Sequence, residues 1–265
     1  MYPFEIAKPL TIEDAVKALE NEEAQPLAGG QTLIPTLKAR LAMPEILVSL
    51  TGIAQMQSMA VRDGQLCIGG SVTHAAVARQ MSVYPALAKL AAHIGDPAVR
   101  SRGTIGGSLA NNDPSACYPA AALASRAIIV TNARSIAAKD FFLGMFETAL
   151  EAGEIITEVR FPIPQAAQYE KFVQPASRFA LVGVYVAKFA DGVRVAVTGA
   201  SEEGVFRWTQ AEDALSERFI SAALNPIAIA ADGMIADLHG SPAYRAHLIK
   251  VLTMRAVDAA VSSQD

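Results

Sequence analysis

Three pairs of adjacent glycines, each followed by polar residues, are the best candidates for chemistry in this sequence. They are Gly29-Gly30 before Gln31-Thr32, Gly69-Gly70 before Ser71, and Gly106-Gly107 before Ser108. Glycine can adopt positive φ and approach a ligand closely, so such a turn before a helix can direct several N–H groups at one anion. A Ser or Thr hydroxyl adds a further donor. The pattern predicts a site for phosphate groups.

The surroundings of these pairs separate two of them from the third. The first pair precedes a predicted helix with Pro35 in its first turn, which a helix tolerates. The last pair lies in residues 95–114, which are dense in turn-forming residues, so we expect a long structured loop with a function. Nothing comparable surrounds Gly69-Gly70, where we expect an ordinary turn. The chain has neither a GxGxxG fingerprint nor a GxxxxGK(S/T) loop, so another fold would have to bind a dinucleotide.

The other reactive residue types exclude several classes of site. Two cysteines, Cys67 and Cys117, exclude a disulfide framework and an iron–sulfur cluster held by four thiolates. The four histidines stand far apart without HExxH spacing, so we expect no metal site. His74 and His93 lie near the ends of predicted helices and are expected to be structural. The sequence contains no convincing catalytic triad or carboxylate pair.

Composition indicates a globular protein. The 265 residues are 52% hydrophobic and only 18% charged, which argues against disorder and suggests large interfaces with other chains. A net charge of −4 and the lack of Lys/Arg runs argue against nucleic-acid binding. No signal peptide or apolar stretch long enough to span a membrane is visible, so we expect a cytoplasmic protein.

Helix and strand signals alternate around the glycine pairs. Thr11 is a predicted helix N-cap, with Asp14 three residues later. Further helices are predicted at residues 33–41, 74–80, 84–94 and 118–124. Strands are predicted at residues 45–50, 65–68, 127–131 and 154–161.

The last hundred residues predict an α+β tail. Residues 162–168 resemble a linker, and two strands at 181–189 and 194–198 are joined by the turn-forming pair Asp191-Gly192. Helices are predicted at the end of the chain, over residues 221–224, 227–238 and 243–261.

Two of the glycine motifs carry a resemblance to a known family. Residues 26–35, Pro-Leu-Ala-Gly-Gly-Gln-Thr-Leu-Ile-Pro, and residues 104–109, Thr-Ile-Gly-Gly-Ser-Leu, resemble the two-part FAD signature of molybdenum hydroxylases. The chain is most similar to the separate medium (flavoprotein) subunit of the carbon monoxide dehydrogenase and xanthine dehydrogenase type. The resemblance covers nearly the whole chain and includes residues 100–114, 169–172 and 237–256.

The resemblance implies an α+β fold with three parts. Two subdomains form an FAD-binding region of the vanillyl-alcohol-oxidase-like (PCMH) type, and a smaller α+β domain follows. We expect these parts at residues 1–55, 56–164 and 165–265, with FAD between the first two. The cofactor-binding residues that the resemblance implies are Leu27, Ala28, Gly29, Gly30, Gln31, Thr32, Leu33, Ile34, Ile94, Thr104, Ile105, Gly106, Gly107, Ser108, Asn111, Asp113, Cys117, Ile156 and Lys171.

Each end of the implied site has its own residues. Leu27 to Ile34 and Thr104 to Ser108 would form the two walls around the diphosphate, while Ile94 and Ile156 would be apolar neighbours of the flavin. Lys171 falls where the family has a lysine near the pyrimidine edge of the ring. Reduced flavin is negatively charged near N1 and O2, so a cation there would raise the reduction potential.

Two residues depart from the family pattern. Cys117 stands where many relatives have an aspartate that binds the ribityl chain, so that contact is lost or taken over by Asp113. Phe179 replaces a tyrosine that some relatives have near the flavin. Neither change is expected to prevent FAD binding.

The resemblance implies an electron-transfer subunit with no catalytic residues of its own. A large subunit would oxidise substrate at a molybdopterin centre, and a small subunit with [2Fe-2S] clusters would pass the electrons to FAD here and on to an external acceptor. The expected assembly is a dimer of heterotrimers. One alternative is a stand-alone flavin oxidase or dehydrogenase, which would need a base beside the flavin. A weaker alternative is a non-enzymatic assembly protein that binds no flavin.

Overall fold

A parallel three-stranded sheet carries the first glycine pair. The structure, a computed structural model, describes residues 1–79 and 82–262. The chain begins with β1 (Glu5–Ala7), α1 (Ile12–Ala18), β2 (Ala24–Leu27), α2 (Leu33–Lys38) and β3 (Ile46–Ser49). Strand β3 lies between β1 and β2 and is parallel to both. The turn that contains the glycine pair therefore leaves the sheet at the carboxyl end of β2 and leads directly into α2.

The two helices of this region begin and end for local reasons. The predicted cap of α1 is confirmed, because the Thr11 hydroxyl accepts a hydrogen bond from the Asp14 N–H at 3.1 Å. Helix α2 stops at Lys38, three residues before the predicted end at residue 41. Arg40 adopts a φ of 60°, in the left-handed region, which a helix cannot continue through.

A five-stranded antiparallel sheet forms the middle of the molecule. A 3-10 turn at Ala54–Gln57 precedes it. The strands and helices that follow are β4 (Met59–Arg62), β5 (Gln65–Gly69), α3 (His74–Arg79), α4 (Pro85–Ala92), α5 (Pro97–Arg102), α6 (Ile105–Asn111), α7 (Tyr118–Ala124), β6 (Ile128–Thr131), β7 (Ser135–Ala137), α8 (Ala138–Phe141), β8 (Phe142–Gly144), β9 (Glu147–Thr148) and β10 (Ile156–Pro162). The sheet order is β4-β5-β10-β6-β7, and β8 and β9 form a separate hairpin. Of the predicted helix at residues 74–80, the last residue lies outside the described part of the chain.

The expectation of one long loop over residues 95–114 was wrong, because α5 and α6 occupy most of it. The Asp96 carboxylate accepts a hydrogen bond from the Val99 N–H at 2.9 Å and caps α5. The Thr104 hydroxyl accepts from the Gly107 N–H at 3.1 Å and caps α6. The turn-forming residues of this stretch thus act as helix caps.

The last part of the chain is an antiparallel sheet covered by helices. Its elements are β11 (Ala166–Val173), β12 (Ala180–Phe189), β13 (Gly192–Thr198), β14 (Phe206–Arg207), α9 (Thr209–Glu217), a 3-10 turn at Ser221–Leu224 and α10 (Pro242–Ser262). The strands pair in chain order, and the predicted hairpin between β12 and β13 is confirmed, although its two turn residues are Ala190 and Asp191 and Gly192 begins β13. No helix of the described residues, α10 included, is long and apolar enough to cross a membrane.

Two sequence expectations for this part were wrong, and α9 was not predicted. Strand β11 begins at Ala166, inside the predicted linker. Residues 227–238 are mostly irregular, with short turns, and form no helix. Here the chain is held by the buried Arg245 guanidinium, which donates to the Asp237 carboxylate at 2.8 Å and to the Leu181 carbonyl at 2.7 Å. These tertiary contacts replace the helical hydrogen bonds that the local sequence suggests.

The middle and last parts share one hydrophobic core. Tyr169, Tyr185 and Ala196, from β11, β12 and β13, belong to the same buried cluster as Leu87 of α4 and Tyr118 of α7. Helix α7 packs against β12 and β13, and α4 packs against β11. This packing brings β11 beside the carboxyl end of α4 and the start of α7, where it closes one side of a cavity.

Candidate cofactor-binding site

A large cavity lies where the three sheets meet. Its volume is about 760 Å³, within the usual size range of small-molecule and cofactor sites. The turn after β2 and the first turn of α6, which touch each other, line one end. The residues before α7, the start of β10 and the lysine of β11 also line the cavity.

The structure brings most of the predicted site residues to this cavity. Those that line it are Ala28, Gly29, Gly30, Gln31, Thr32, Leu33, Ile94, Thr104, Gly106, Gly107, Ser108, Asn111, Asp113, Cys117, Ile156 and Lys171. Three predicted residues do not. Ile105 is fully buried in the core, Ile34 lies on a smaller opening behind the turn, and Leu27 packs beneath Gly30.

The two glycine turns touch each other although they are distant in the sequence. A Cβ atom added to Gly29 would lie 2.1 Å from the Arg102 carbonyl oxygen, and one added to Gly107 would lie 3.4 Å from Ala28 Cβ. Only glycine at residue 29 allows this backbone approach. The expected convergence of the two turns on one place is therefore a feature of the fold.

The N–H groups of the second turn differ from the expectation that they face a ligand. The Ile105 N–H donates to the Val72 carbonyl at 3.1 Å, and the Gly106 N–H to the Gly70 carbonyl at 2.9 Å. The Gly107 N–H is used by the Thr104 cap. Hydrogen bonds thus attach the first turn of α6 to the segment after β5, and its two glycines form a part of the cavity wall without side chains.

The glycine turn after β2 differs, because several of its backbone N–H donors are unpaired among the described residues. Within the described part of the chain, the backbone N–H groups of Gly30, Gln31 and Thr32 make no hydrogen bond to another residue. The Ser108 hydroxyl on the opposite wall is also without a partner there, and its residue is half-buried. Because unpaired donors at a partly buried site favour an anionic ligand, this end of the cavity suits phosphate groups.

The glycine pair that was expected to form an ordinary turn also belongs to this site. Gly70 lines the cavity and accepts the hydrogen bond from Gly106. A Cβ atom at Gly70 would lie 2.0 Å from the Ile156 carbonyl oxygen, so no side chain fits. No local signal distinguishes this pair, because its closest contacts come from residues far along the chain.

A buried histidine lies behind the same turn. The His74 ring packs at 5.3 Å from the Tyr118 ring, and a Cβ atom on Gly103 would approach its Nε2 atom to 2.6 Å. Burial, followed by the charge of Arg100, lowers the pKa of His74 to about 4, so the imidazole is neutral at pH 7. His93 makes a local contact from Nδ1 to the Lys89 carbonyl at 2.7 Å. Neither arrangement requires a catalytic role.

The cavity also has apolar residues and the cationic Lys171 in its wall. Ile94 and Ile156 are on its wall together with Lys171 and Cys117. The Lys171 ammonium donates to the His93 carbonyl at 2.7 Å and to Cys117 Sγ at 3.6 Å. One of its three hydrogens remains for a ligand. The Asp113 carboxylate accepts from the Ser115 N–H at 2.8 Å and also faces the cavity.

Several lining residues were not in the predicted site. They include Met56, Gly70, His74, Gly95, Val99, Ser177, Arg178 and Phe179. The last three belong to the connection between β11 and β12, where Arg178 has a φ of 62° and Phe179 is 48% exposed. The family pattern alone points to Phe179, and nothing in the local sequence marks the others.

Comparison with known proteins gives one family. A family model described as "FAD binding domain in molybdopterin dehydrogenase" matches residues 2–164. The medium subunit of nicotine 6-hydroxylase from Paenarthrobacter nicotinovorans is 33% identical over 95% of each chain. The medium chain of carbon monoxide dehydrogenase from Afipia carboxidovorans is 30% identical over 97% of this chain and 96% of its own length.

Solved structures agree with these matches over the full length. A chain of reconstituted CO dehydrogenase from Oligotropha carboxidovorans superposes with a TM-score of 0.89 at 30% identity, covering 97% of both chains. A chain of quinoline 2-oxidoreductase from Pseudomonas putida 86 gives 0.87 at 30% identity, covering 98% of this chain and 97% of the other. The similarity therefore includes the last hundred residues, beyond the part matched by the family model.

Proposed function

The chain belongs to the family of FAD-binding domains in molybdopterin dehydrogenases, and we infer from this that it is the FAD-binding medium subunit of a molybdenum hydroxylase. Its fold is that of the medium subunits, with a PCMH-type FAD-binding region and an α+β domain after it. When bound, FAD accepts electrons and passes them to an acceptor. The chain itself has to bind the cofactor, orient it and adjust its potential.

The diphosphate of FAD is assigned to the part of the cavity lined by the two glycine turns. The free N–H groups of Gly30, Gln31 and Thr32 would bind it from one side, and the Ser108 hydroxyl from the other. The glycine-lined wall at Gly107 leaves room for phosphate oxygens. This set of neutral donors fits a diphosphate in a wall without lysine.

The flavin ring is assigned to the part of the cavity beside Lys171. Ile94 and Ile156 would supply apolar contacts, and the remaining donor of Lys171 would face the pyrimidine edge. Cys117 and Asp113 lie where the ribityl chain would run. The Cys117 thiol is a weak donor, so Asp113 is the stronger candidate for a hydroxyl contact.

The three sequence segments receive separate roles. We assign residues 1–55 and 56–164 to the two halves of the FAD site, since each supplies one of the touching glycine turns. Residues 165–265 would supply Lys171 and close the cavity beside it. The cavity depends on all three, so we expect no segment alone to bind FAD tightly.

The names of the relatives support a multi-subunit assembly. Several are medium chains or subunits of dehydrogenase complexes, including a 6-hydroxypseudooxynicotine dehydrogenase complex. We propose a small subunit with [2Fe-2S] clusters and a large subunit with the molybdopterin cofactor as partners, arranged as a cytoplasmic dimer of heterotrimers. The exposed apolar residues Leu143, Met145 and Phe146 on the β8–β9 hairpin agree with a surface that other chains cover.

The cavity lined by the two touching glycine turns is the observation that carries this proposal. Reconstitution with FAD tests whether the chain binds the cofactor. Purified chain is mixed with FAD, separated from free cofactor and examined for a flavin absorption band in a 1:1 ratio. The FAD-loaded chain is then offered candidate substrates without air. Bleaching of the flavin without any partner would favour a stand-alone oxidase, and absence of bound flavin would favour an assembly protein. Co-purification from the native host with iron and molybdenum would identify the companion chains.

A further inference from the structure

A cysteine and a lysine meet at the wall of the cavity from two different parts of the chain. Cys117 immediately precedes α7, and Lys171 lies in β11, fifty-four residues later. Their Sγ and Nζ atoms are 3.6 Å apart. The core shared by α7 and the last sheet holds this approach in place.

The surroundings keep the two groups facing each other. Lys171 Nζ is anchored by the His93 carbonyl at 2.7 Å, at the carboxyl end of α4. Tyr169, two residues before Lys171 in β11, places its buried hydroxyl beside Cys117, without a hydrogen-bond partner among the described residues. Burial is the largest cause that raises the pKa of Tyr169 well above its usual value. Sulfur, amine and an unpaired phenol thus form one cluster with access to the cavity.

We propose that this cluster is an oxidation site, at which hydrogen peroxide links Cys117 to Lys171 through a single oxygen atom. The thiol is first oxidised to a sulfenic acid, and the nearby amine then becomes joined to sulfur as S–O–N. One thiol, one unprotonated amine and two molecules of peroxide give the bridge and three molecules of water. Sulfur and nitrogen are oxidised, the peroxide oxygens are reduced, and the ammonium proton leaves to solvent.

The bridge has a consequence for the site. It consumes the positive charge of Lys171, since nitrogen bonded to oxygen is a much weaker base than an amine. It also ties residues 56–164 covalently to residues 165–265. Peroxide is a product of reduced flavins with dioxygen, so on the proposed function the cofactor itself could supply the oxidant. The chemistry of the pair needs only the geometry and added peroxide.

Mass spectrometry of the full-length protein tests the proposal. Protein with and without bound FAD is treated with hydrogen peroxide, quenched and digested with trypsin. We expect a peptide pair that links Cys117 to Lys171, with one oxygen more and two hydrogens fewer than the sum of its parts. Cleavage after Lys171 is lost, and dithiothreitol restores both free peptides.

Cys67 is the internal control. It is as buried as Cys117, but its sulfur contacts the Gln65 carbonyl at 3.9 Å and the Arg62 guanidinium, which is a far weaker nucleophile than an amine. Lys171→Arg keeps a cation and should abolish the bridge. An unlinked sulfenic acid at Cys117, an unmodified Cys117, or equal cross-linking of Cys67 would overturn the proposal.

The wild-type protein suffices for this result, so a misfolded variant cannot obscure it. Thermal melting before treatment confirms the fold of each variant. Failure to bridge in a protein that retains FAD would contradict this inference alone. Failure to bind FAD would contradict the proposed function and leave the bridge measurable in the free protein.

Discussion

Replacement of Gly107 by aspartate should separate the stability of the fold from its affinity for FAD. Gly107 is the third residue of α6, after the Thr104 cap, and it faces the cavity. A Cβ atom there would lie 3.0 Å from Thr104 Oγ1 and 3.4 Å from Ala28 Cβ, so a small shift accommodates it. An acidic residue in the first turn of a helix stabilises it by about 0.3–1 kcal/mol. Gly107→Asp should therefore fold, with a Tm within about 4 °C of wild type.

The same substitution should greatly weaken FAD binding. The new carboxylate would stand at the wall to which we assign the diphosphate. Two charges about 4 Å apart near a protein surface repel by about 4 kcal/mol, which is roughly a thousandfold in Kd. Gly107→Asn supplies the same volume without the charge, and Gly107→Ala supplies only the methyl group. We expect the Kd values to rise in the order Ala, Asn, Asp.

Two measurements on each variant separate the effect on stability from the effect on FAD binding. Differential scanning calorimetry gives Tm without cofactor, and fluorescence titration gives the Kd for FAD. A Gly107→Asp protein that binds FAD as tightly as wild type would refute the assignment of the diphosphate to this wall. Equal losses for the Asn and Asp variants would show that size, not charge, causes the effect. A fall in Tm far beyond the expected range would refute the reading of Gly107 as free of structural constraint.

Three further perturbations follow from the same geometry. Gly30→Asp should lower the free energy of unfolding by about 1–2 kcal/mol and also weaken FAD binding. Gly30 has a φ of 71°, and an added Cβ would lie 2.9 Å from Ile34 Cγ1. An unchanged Tm would contradict this prediction. Lys171→Met should lower the flavin potential by tens of millivolts with little change in Tm, and a redox titration that shows no shift would count against the assigned role. Glu154 contacts Arg134 and Thr131, and these hydrogen bonds lower its pKa from 4.5 to about 2. The stability that the ionised Glu154 contributes is present above pH 4.5 and is lost as the pH falls toward 2. Glu154→Gln should therefore lower Tm at pH 7, and its Tm should fall less than that of wild type as the pH is lowered. Tm curves of the two proteins that run parallel from pH 7 to pH 2 would argue against this role of Glu154.

Local elements were predictable where neighbouring residues determine them. The Thr11 cap and the Asp191-Gly192 turn each satisfy their hydrogen bonds or dihedral angles within a few residues. The helices within residues 95–114 were not predicted, because Asp and Thr, the residue types that cap them at residues 96 and 104, are also common in turns. The helix predicted at residues 227–238 is absent for a different reason, because the buried Arg245 of α10 binds this segment in place of local hydrogen bonds.

The sequence by itself determined the family, the cofactor and sixteen of the residues that line the cavity. Motifs such as Gly29-Gly30 and Gly106-Gly107 are readable because a backbone without side chains is needed whatever surrounds it. Only the tertiary structure decided which N–H groups remain free, since Val72 and Gly70 occupy those of the second turn. It alone brought Gly70 into the wall and Cys117 against Lys171. Those outcomes depend on contacts between residues far apart in the chain, and no local pattern records which distant atom will satisfy a donor.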